Sequence, residues 1–419
     1  MLIRLLIIAD DFTGALDTGV QFASQGLSTR VITDTAASLK AFADSCEVLV
    51  VDAETRHIAA EKAYDVVYSV AAQAVELGIP HIYKKTDSAL RGNIGAELSA
   101  LLAASGKPRL PFLPAFPQMN RVTRDGVHYI AGVPVSESVF GKDPFDPVVH
   151  SRVTEVIAQQ SNAPALSLPV MREGDDVSGT EGILVFDAAS LEDLEQTGAA
   201  LQQQDSLAIM AGCAGFGSVL PKLLKLGTGK PAPMPELDSN FLVICGSVNP
   251  ITVAQLNRAE QEGFLRQRLT PEQKLAPDYW TTQAGEEAFQ NIRGQLGSCA
   301  YRILDTNDPD GNDATAAYAK EHGMTIEDVR QAVSRTVGYL VGRLFPDPDL
   351  GTLLITGGDT LLQCMNCMGV QEIEPLCELD SGVVLSRFAY QGYTRYVISK
   401  SGGFGKEDLM IQLAKRIAQ

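Results

Sequence analysis

Residues 2–18, LIRLLIIADDFTGALDT, set the tightest limit on the fold, because an apolar run stops there at two adjacent carboxylates and a turn of small residues. Leu2, Ile3, Leu5, Leu6, Ile7 and Ile8 form a nearly continuous hydrophobic segment. That is the pattern of a strand buried on both faces of a sheet covered by helices. The run is too short to cross a membrane, which takes about 20 apolar residues. Leu16, Val20, Phe22 and Ala23 then recur at helical spacing. In an open α/β sheet ligands bind beyond the carboxyl ends of the strands, and the acidic turn falls there. Asp10, Asp11 and Asp17 are the first candidate functional residues. A helix N-cap accounts for one aspartate but not for an adjacent pair.

The same alternation continues. Residues 29–33 and 48–52 read as short strands, and 59–77 reads as a helix with Val66, Val67, Val70 and Ala74 on its apolar stripe. A strand over 81–84 and a helix over 96–104 follow, which predicts an α/β fold on a largely parallel, helix-flanked sheet. Between them lies KKTDSALRGNIGAEL, where Lys84, Lys85, Asp87, Ser88 and Arg91 crowd one strand-to-helix junction. Arg grips a planar carboxylate through two parallel hydrogen bonds, while Asp87 and Ser88 exchange hydrogen bonds with hydroxyls. A polyhydroxy acid satisfies the whole set. The competing reading is an Asp87–Arg91 ion pair at helical spacing, worth about 0.2–0.5 kcal/mol. Gly92 and Gly95 favour the binding site, since they permit the close backbone approach that an ion pair does not need.

The stretch 108–147 is rich in Pro, Gly and aromatic residues and reads as strand pieces and ordered loops that wall a pocket. His128 and His150 show no metal-ligand spacing and read as structural or surface groups. Strands over 165–169, 182–186 and 206–211 continue the first domain, and 211–224 opens a helix after a glycine turn. The run GTGKPAPMPELD, 227–238, has three prolines and no periodicity. It separates expected domains at 1–232 and 239–419.

In the second half FLVIC runs into Gly246, Ser247, Val248 and Asn249; GTLLIT runs into Gly357, Gly358, Asp359 and Thr360; TRYVIS runs into Lys400, Ser401, Gly402, Gly403 and Phe404. A helix over 408–417 follows the last turn. Three such turns on one sheet edge present backbone N–H groups and helix N-termini to anions, which lets an acidic protein bind phosphates. Neither a Walker A loop nor a G-x-G-x-x-G fingerprint is present, so a nucleotide enzyme of this kind is neither P-loop nor Rossmann.

A formal charge of -17 over 419 residues argues against a nucleic-acid surface. Hydrophobic content of 45% with 20% charged residues is that of a globular chain. Seven scattered cysteines read as reduced thiols, and Cys364 with Cys367 forms a lone CxxC lacking the partners of a zinc site. The N-terminus carries no long hydrophobic region or cleavage site of a signal peptide, so the expected location is cytoplasmic. No membrane or nucleic-acid partner is expected, and a homo-oligomer stays open.

IADDFTGALDTG, KKTDSALRGNIGAE, CGSVNPIT, TGGDT and SGGFG, collinear over both halves, resemble the four-carbon acid sugar kinase family. The resemblance implies an N-terminal sugar-acid-binding domain, a C-terminal ATP-binding domain and phosphorylation of a terminal hydroxyl, usually O4 of a tetronate. DTGVQ and YKKTDS look more like the D-threonate branch than the 3-oxo-tetronate branch, while D-erythronate kinases are hard to separate. Ala89 stands where relatives often have Thr, and Gly403 where many have Asn.

On this basis Arg91 with Lys84 or Lys85 holds the substrate carboxylate, and Asp11 and Asp87 orient hydroxyls. Asp10 or Asp11 accepts the proton, with Asp359 the competing base or Mg²⁺ partner. Ser247, Gly357, Gly358, Asp359, Thr360, Gly402 and Gly403 receive ATP, and two domains close on a Mg²⁺-bridged phosphate chain. The alternatives are a non-catalytic sugar-acid sensor, which needs no phosphate turns, and a dehydrogenase, which lacks its dinucleotide fingerprint.

Overall fold

The computed structural model describes residues 3–143, 146–227, 229–309, 311–346 and 350–418. The chain divides into two compact units, Met1–Ala232 and Pro233–Gln419, parting inside the proline-bearing run. Each is an α/β unit on a mainly parallel sheet flanked by helices.

The strands of the first unit are β1 (Leu5–Ala9), β2 (Thr29–Ile32), β3 (Val48–Asp52), β4 (His81–Lys85), β5 (Arg109–Leu113), β6 (Arg121–Arg124), β7 (Val127–Ile130), β8 (Val133–Pro134), β9 (Ala165–Leu168), β10 (Gly182–Phe186) and β11 (Ile209–Gly212). The main sheet runs β2-β3-β1-β4-β11-β5-β10-β9, parallel throughout, and β6-β7-β8 form a small antiparallel sheet. Every residue of β1 is buried, as a strand covered on both faces requires. Each Leu or Ile there contributes about 2 kcal/mol by leaving water. From β1 the chain runs out to β2, returns to β3 beside β1, and then crosses to β4 on the far side. The order therefore reverses at β1, and the crevice beyond the carboxyl ends of β3, β1 and β4 is the expected place for a ligand.

The helix expected over 96–104 starts earlier and spans Ile94–Ser105. Asn93 precedes it without capping it, because its amide donates to the Thr55 and Ile58 carbonyls at 2.7 and 2.8 Å. The segment 211–224 holds two short helices, Ala214–Gly217 and Leu220–Leu223, in place of one; Pro221 lies in the first turn of the second, where a missing N–H is tolerated.

The second unit contains β12 (Phe241–Cys245), β13 (Leu265–Arg268), β14 (Tyr301–Asp305), β15 (Thr352–Thr356), β16 (Glu372–Asp380), β17 (Val383–Tyr390) and β18 (Tyr393–Lys400). Their order is β13-β14-β12-β15-β18-β17-β16, with the first five parallel and the last two added as an antiparallel meander. The meander escaped the sequence reading, which found only its last strand. The order β13-β14-β12-β15 repeats β2-β3-β1-β4, a likeness of topology that the residues themselves do not display. Among the described residues no helix is long and apolar enough to cross a membrane, and all seven cysteines are free.

Candidate functional site

In the first unit the crevice at the switch point is filled by charge. Asp10 directly follows β1 and is buried; Asp11 is the N-cap of the helix Phe12–Ala23, accepting from the Gly14 N–H at 3.2 Å. Arg56, four residues past β3, ties the two together: its Nε and Nη2 donate to Asp10 Oδ2 at 2.8 and 2.6 Å, and its Nη1 donates to Asp11 Oδ2 at 3.0 Å. Lys85, the last residue of β4, reaches the same pair at 2.9 and 2.8 Å. Gly14 makes room for it, since a Cβ there would lie 1.9 Å from the Lys85 Nζ. Burial pushes the Asp11 carboxyl up, but Arg56 and Lys85 more than reverse this and hold it far below the ordinary value. Burial likewise lowers Lys85, and Asp10 and Asp11 raise it further than burial takes away.

Adjacent strand residues point to opposite faces, so Lys84 does not join Lys85. Its ammonium lies 3.1 Å from Glu97 and donates to the Lys85 carbonyl at 2.7 Å, fully buried. Asp87 accepts from Arg91 Nε and Nη2 at 2.9 and 3.0 Å and from the Arg91 N–H at 3.2 Å. The ion pair at helical spacing is therefore formed, and Arg56 Nη2 comes within 3.8 Å of Asp87 as well. Burial raises Asp87, and Arg91 and Arg56 outweigh it, leaving the carboxyl well below the usual range. Ser88 Oγ accepts from Arg121 Nη1, and the Ser88 carbonyl accepts from His128 Nε2 at 3.0 Å. His128 is buried; desolvation lowers it to about 4, so it is neutral, and its Nδ1 meets Thr123 Oγ1 at 3.0 Å. Asp17 sits in the second turn of its helix, half-buried.

Arg56 and Arg121 are the residues that sequence reasoning missed. Arg56 lies four residues past β3, which is paired with β1, the strand that leads into Asp10 and Asp11, so its place in VDAETRH was available as a signal. Arg121 comes from the small β6-β7 hairpin and had none beyond its position in the pocket-walling stretch.

In the second unit the three glycine turns converge, because β12, β15 and β18 are neighbours and Cys245, Thr356 and Lys400 lie in register. A Cβ on Gly246 would lie 1.9 Å from Thr360 Oγ1; one on Gly402 would lie 2.8 Å from Ser247 Oγ. Gly357 has φ +104° and begins the helix Gly358–Cys367 without any side-chain cap. The first N–H groups of that helix, at Gly358, Asp359 and Thr360, are therefore open to an anion. The neighbouring helix Pro250–Gln261 is capped instead by Asn249, which accepts from the Ile251 N–H at 3.0 Å. Beneath the third turn Lys400 Nζ donates to Thr252 Oγ1 at 3.0 Å and to the Ser401 and Gly402 carbonyls at 2.9 and 3.3 Å. Gly403 lies beside Asn249, its Cβ position 3.8 Å from the amide nitrogen. Asp359 is half-exposed and accepts from Arg330 Nη1. A cavity of about 650 Å³ lined by Asn240, Arg293, Gly297 and Arg302 opens at the amino-terminal edge of this sheet, away from the turns.

Comparisons with known proteins agree with this division. Residues 5–220 match a family described as a sugar-binding N-terminal domain, and residues 242–410 match one described as a nucleotide-binding C-terminal domain. The chain is 29% identical to a D-threonate kinase of Salmonella typhimurium, over 97% of this chain and 96% of that one. It is 31% identical to a D-erythronate kinase of Heliobacterium modesticaldum over 61% of this chain and 60% of the other. A crystal structure of a Salmonella typhimurium protein has the same fold, with a TM-score of 0.80 at 21% identity, covering 99% of this chain and 100% of that one.

Proposed function

Because the chain belongs to the four-carbon acid sugar kinase family, we propose that it transfers the γ-phosphoryl group of ATP to the O4 hydroxyl of a four-carbon sugar acid, with D-threonate as the substrate. The observation that carries this reading is the pairing of two chemistries at one topological position. The switch point of the first unit holds Asp10, Asp11, Arg56, Lys85 and Asp87, a set suited to hydroxyls and an acid. The switch point of the second holds three converging glycine turns, of which the one at Gly357 opens an uncapped helix suited to phosphates.

Asp11 is the more accessible of the two adjacent carboxylates, its side chain 24% exposed against 3% for Asp10. It orients the attacking hydroxyl and accepts its proton, while Asp10 holds Arg56 and Lys85 in place. Lys85 and Arg56 lie against the same carboxylate and donate to the sugar's other oxygens; Asp87 accepts from a hydroxyl. The depressed affinity of Asp11 for a proton is tolerable here, because phosphoryl transfer passes through a loose transition state that asks for alignment and charge neutralisation.

The N–H groups of Gly358, Asp359 and Thr360, with the turns at Ser247 and at Gly402 and Gly403, cradle the phosphates. ATP would supply the phosphoryl group, and a bound Mg²⁺ would neutralise charge on its phosphates. Mg²⁺ commonly takes one or two carboxylates beside phosphate oxygens, and Asp359 is the carboxylate on that turn. The test is ADP release by the purified protein with Mg-ATP against D- and L-threonate, D- and L-erythronate and their 3-oxo derivatives. D-threonate should be the one strong responder; a stronger response to erythronate or a 3-oxo acid would move the substrate assignment to that acid.

A further inference from the structure

Among the cations of the first unit's cluster, one is left over. Arg56 and Lys85 are shared between Asp10 and Asp11, and Arg91 is engaged by Asp87 with a second contact to Asp143 at 3.4 Å. Arg121 has no carboxylate within 4 Å among the described residues. Its Nη1 donates to Ser88 Oγ, and its guanidinium lies 5.1 Å from the centre of the Phe140 ring, which Arg91 flanks at the same distance.

The position is built with care. Arg121 exchanges backbone hydrogen bonds with Phe116 at 2.7 and 3.1 Å and pairs with Ile130 across the β6-β7 hairpin. Ser88, the acceptor of Arg121, is itself fixed by His128 from that hairpin. Burial lowers the proton affinity of Arg121, and repulsion from Arg91 and Arg56 adds to this against the pull of Asp87. Arg56 and Arg91 are shifted the other way, because their carboxylates more than offset burial. A largely buried guanidinium with no carboxylate in contact is costly, and a planar carboxylate received side-on by two N–H groups relieves the cost.

We infer that Arg121, rather than Arg91, grips the carboxylate of the sugar acid and is the residue that makes the enzyme select acids over neutral polyols. The inference rests on the sugar-acid reading of the first unit. Ser88 and Phe140 hold the guanidinium plane, and Arg91 serves to fix Asp87 for a hydroxyl. Lys at position 121 would keep the charge but lose the two-pronged geometry.

The test is calorimetric titration of wild-type protein, Arg121→Gln and Arg121→Lys with D-threonate and with threitol, in which a CH₂OH replaces the carboxylate, alongside steady-state kinetics. Hydrogen bonds to a charged group contribute about 1.5–3 kcal/mol, so Arg121→Gln should weaken D-threonate binding roughly 10- to 150-fold. Threitol affinity and the KM for ATP should stay unchanged, and Arg121→Lys should recover only part of the acid preference. Should Arg121→Gln not fold, the Lys variant decides alone, with a reduced acid-to-polyol ratio expected. Unchanged D-threonate affinity and an unchanged ratio in a folded variant would overturn the inference. Wild-type protein that binds D-threonate but releases no ADP would count against the kinase reading, and the calorimetric comparison would still decide the role of Arg121.

Discussion

Arg56→Met removes the guanidinium that joins Asp10 to Asp11 while leaving an unbranched apolar side chain in its place. Arg56 is 9% exposed and donates three bonds of 2.6–3.0 Å to the two carboxylates. Only Lys85 would then face both. Breaking a buried ion pair by deleting one partner costs roughly 3–5 kcal/mol. At about 2–4 °C per kcal/mol for a unit of this size, the melting temperature at pH 7 should fall by roughly 6–20 °C. The sign with pH follows from Asp11. Burial raises its carboxyl, and Arg56 with Lys85 overcome burial and place it far below its ordinary value. Stability from that depression is fully present above the unfolded carboxylate's value of about 4 and is lost as pH falls through the folded value. The gap between wild type and variant should therefore be widest at neutral pH and close in acid. Thermal unfolding followed by circular dichroism from pH 2 to 8 measures it. A loss below about 2 °C at pH 7, less than 1 kcal/mol warrants, or a gap that widens towards pH 3, would refute the reasoning.

Asp11→Asn keeps the helix cap, since Asn caps as well as Asp, but should lower kcat by roughly 10²- to 10⁴-fold; a near-wild-type rate would take proton acceptance away from Asp11. Gly246→Ala would push a Cβ to 1.9 Å from Thr360 Oγ1 and spread the phosphate turns. kcat/KM for ATP should drop roughly 10²-fold with D-threonate affinity unchanged by calorimetry, and equal losses for both ligands would contradict it. Burial lowers the Lys400 ammonium to about 8, against an opposing influence of Cys245. Its positive charge beneath the third turn is thus present below that pH and lost above it. The KM for ATP should climb as pH rises through this value, and Lys400→Met should show a high KM with no such limb.

The parallel sheet and the junctions at Asp10–Asp11 and Lys84–Arg91 were legible because a buried strand writes itself as a continuous apolar run and the charged turn follows at once. Several strand bounds were read to the residue, as for Val48–Asp52 and Phe241–Cys245. What sequence alone withheld depends on distant pairing. Which of Lys84 and Lys85 faces the aspartates follows from the register of β4 against β1, where Lys85 pairs with Ala9 beside Asp10. Arg56 joins the cluster only because β3 is the other neighbour of β1. β16 and β17 went unread because β16 mixes buried and exposed positions and the apolar run of β17, Val383 to Leu385, is only three residues long.

The most direct test of the central claim is to follow the products of Mg-ATP and D-threonate by phosphorus and proton NMR. The account predicts ADP together with a phosphate ester whose phosphorus couples to the two methylene protons at C4. Coupling to a single carbinol proton, or an acid that binds yet is recovered unphosphorylated across the whole four-carbon panel, would contradict it.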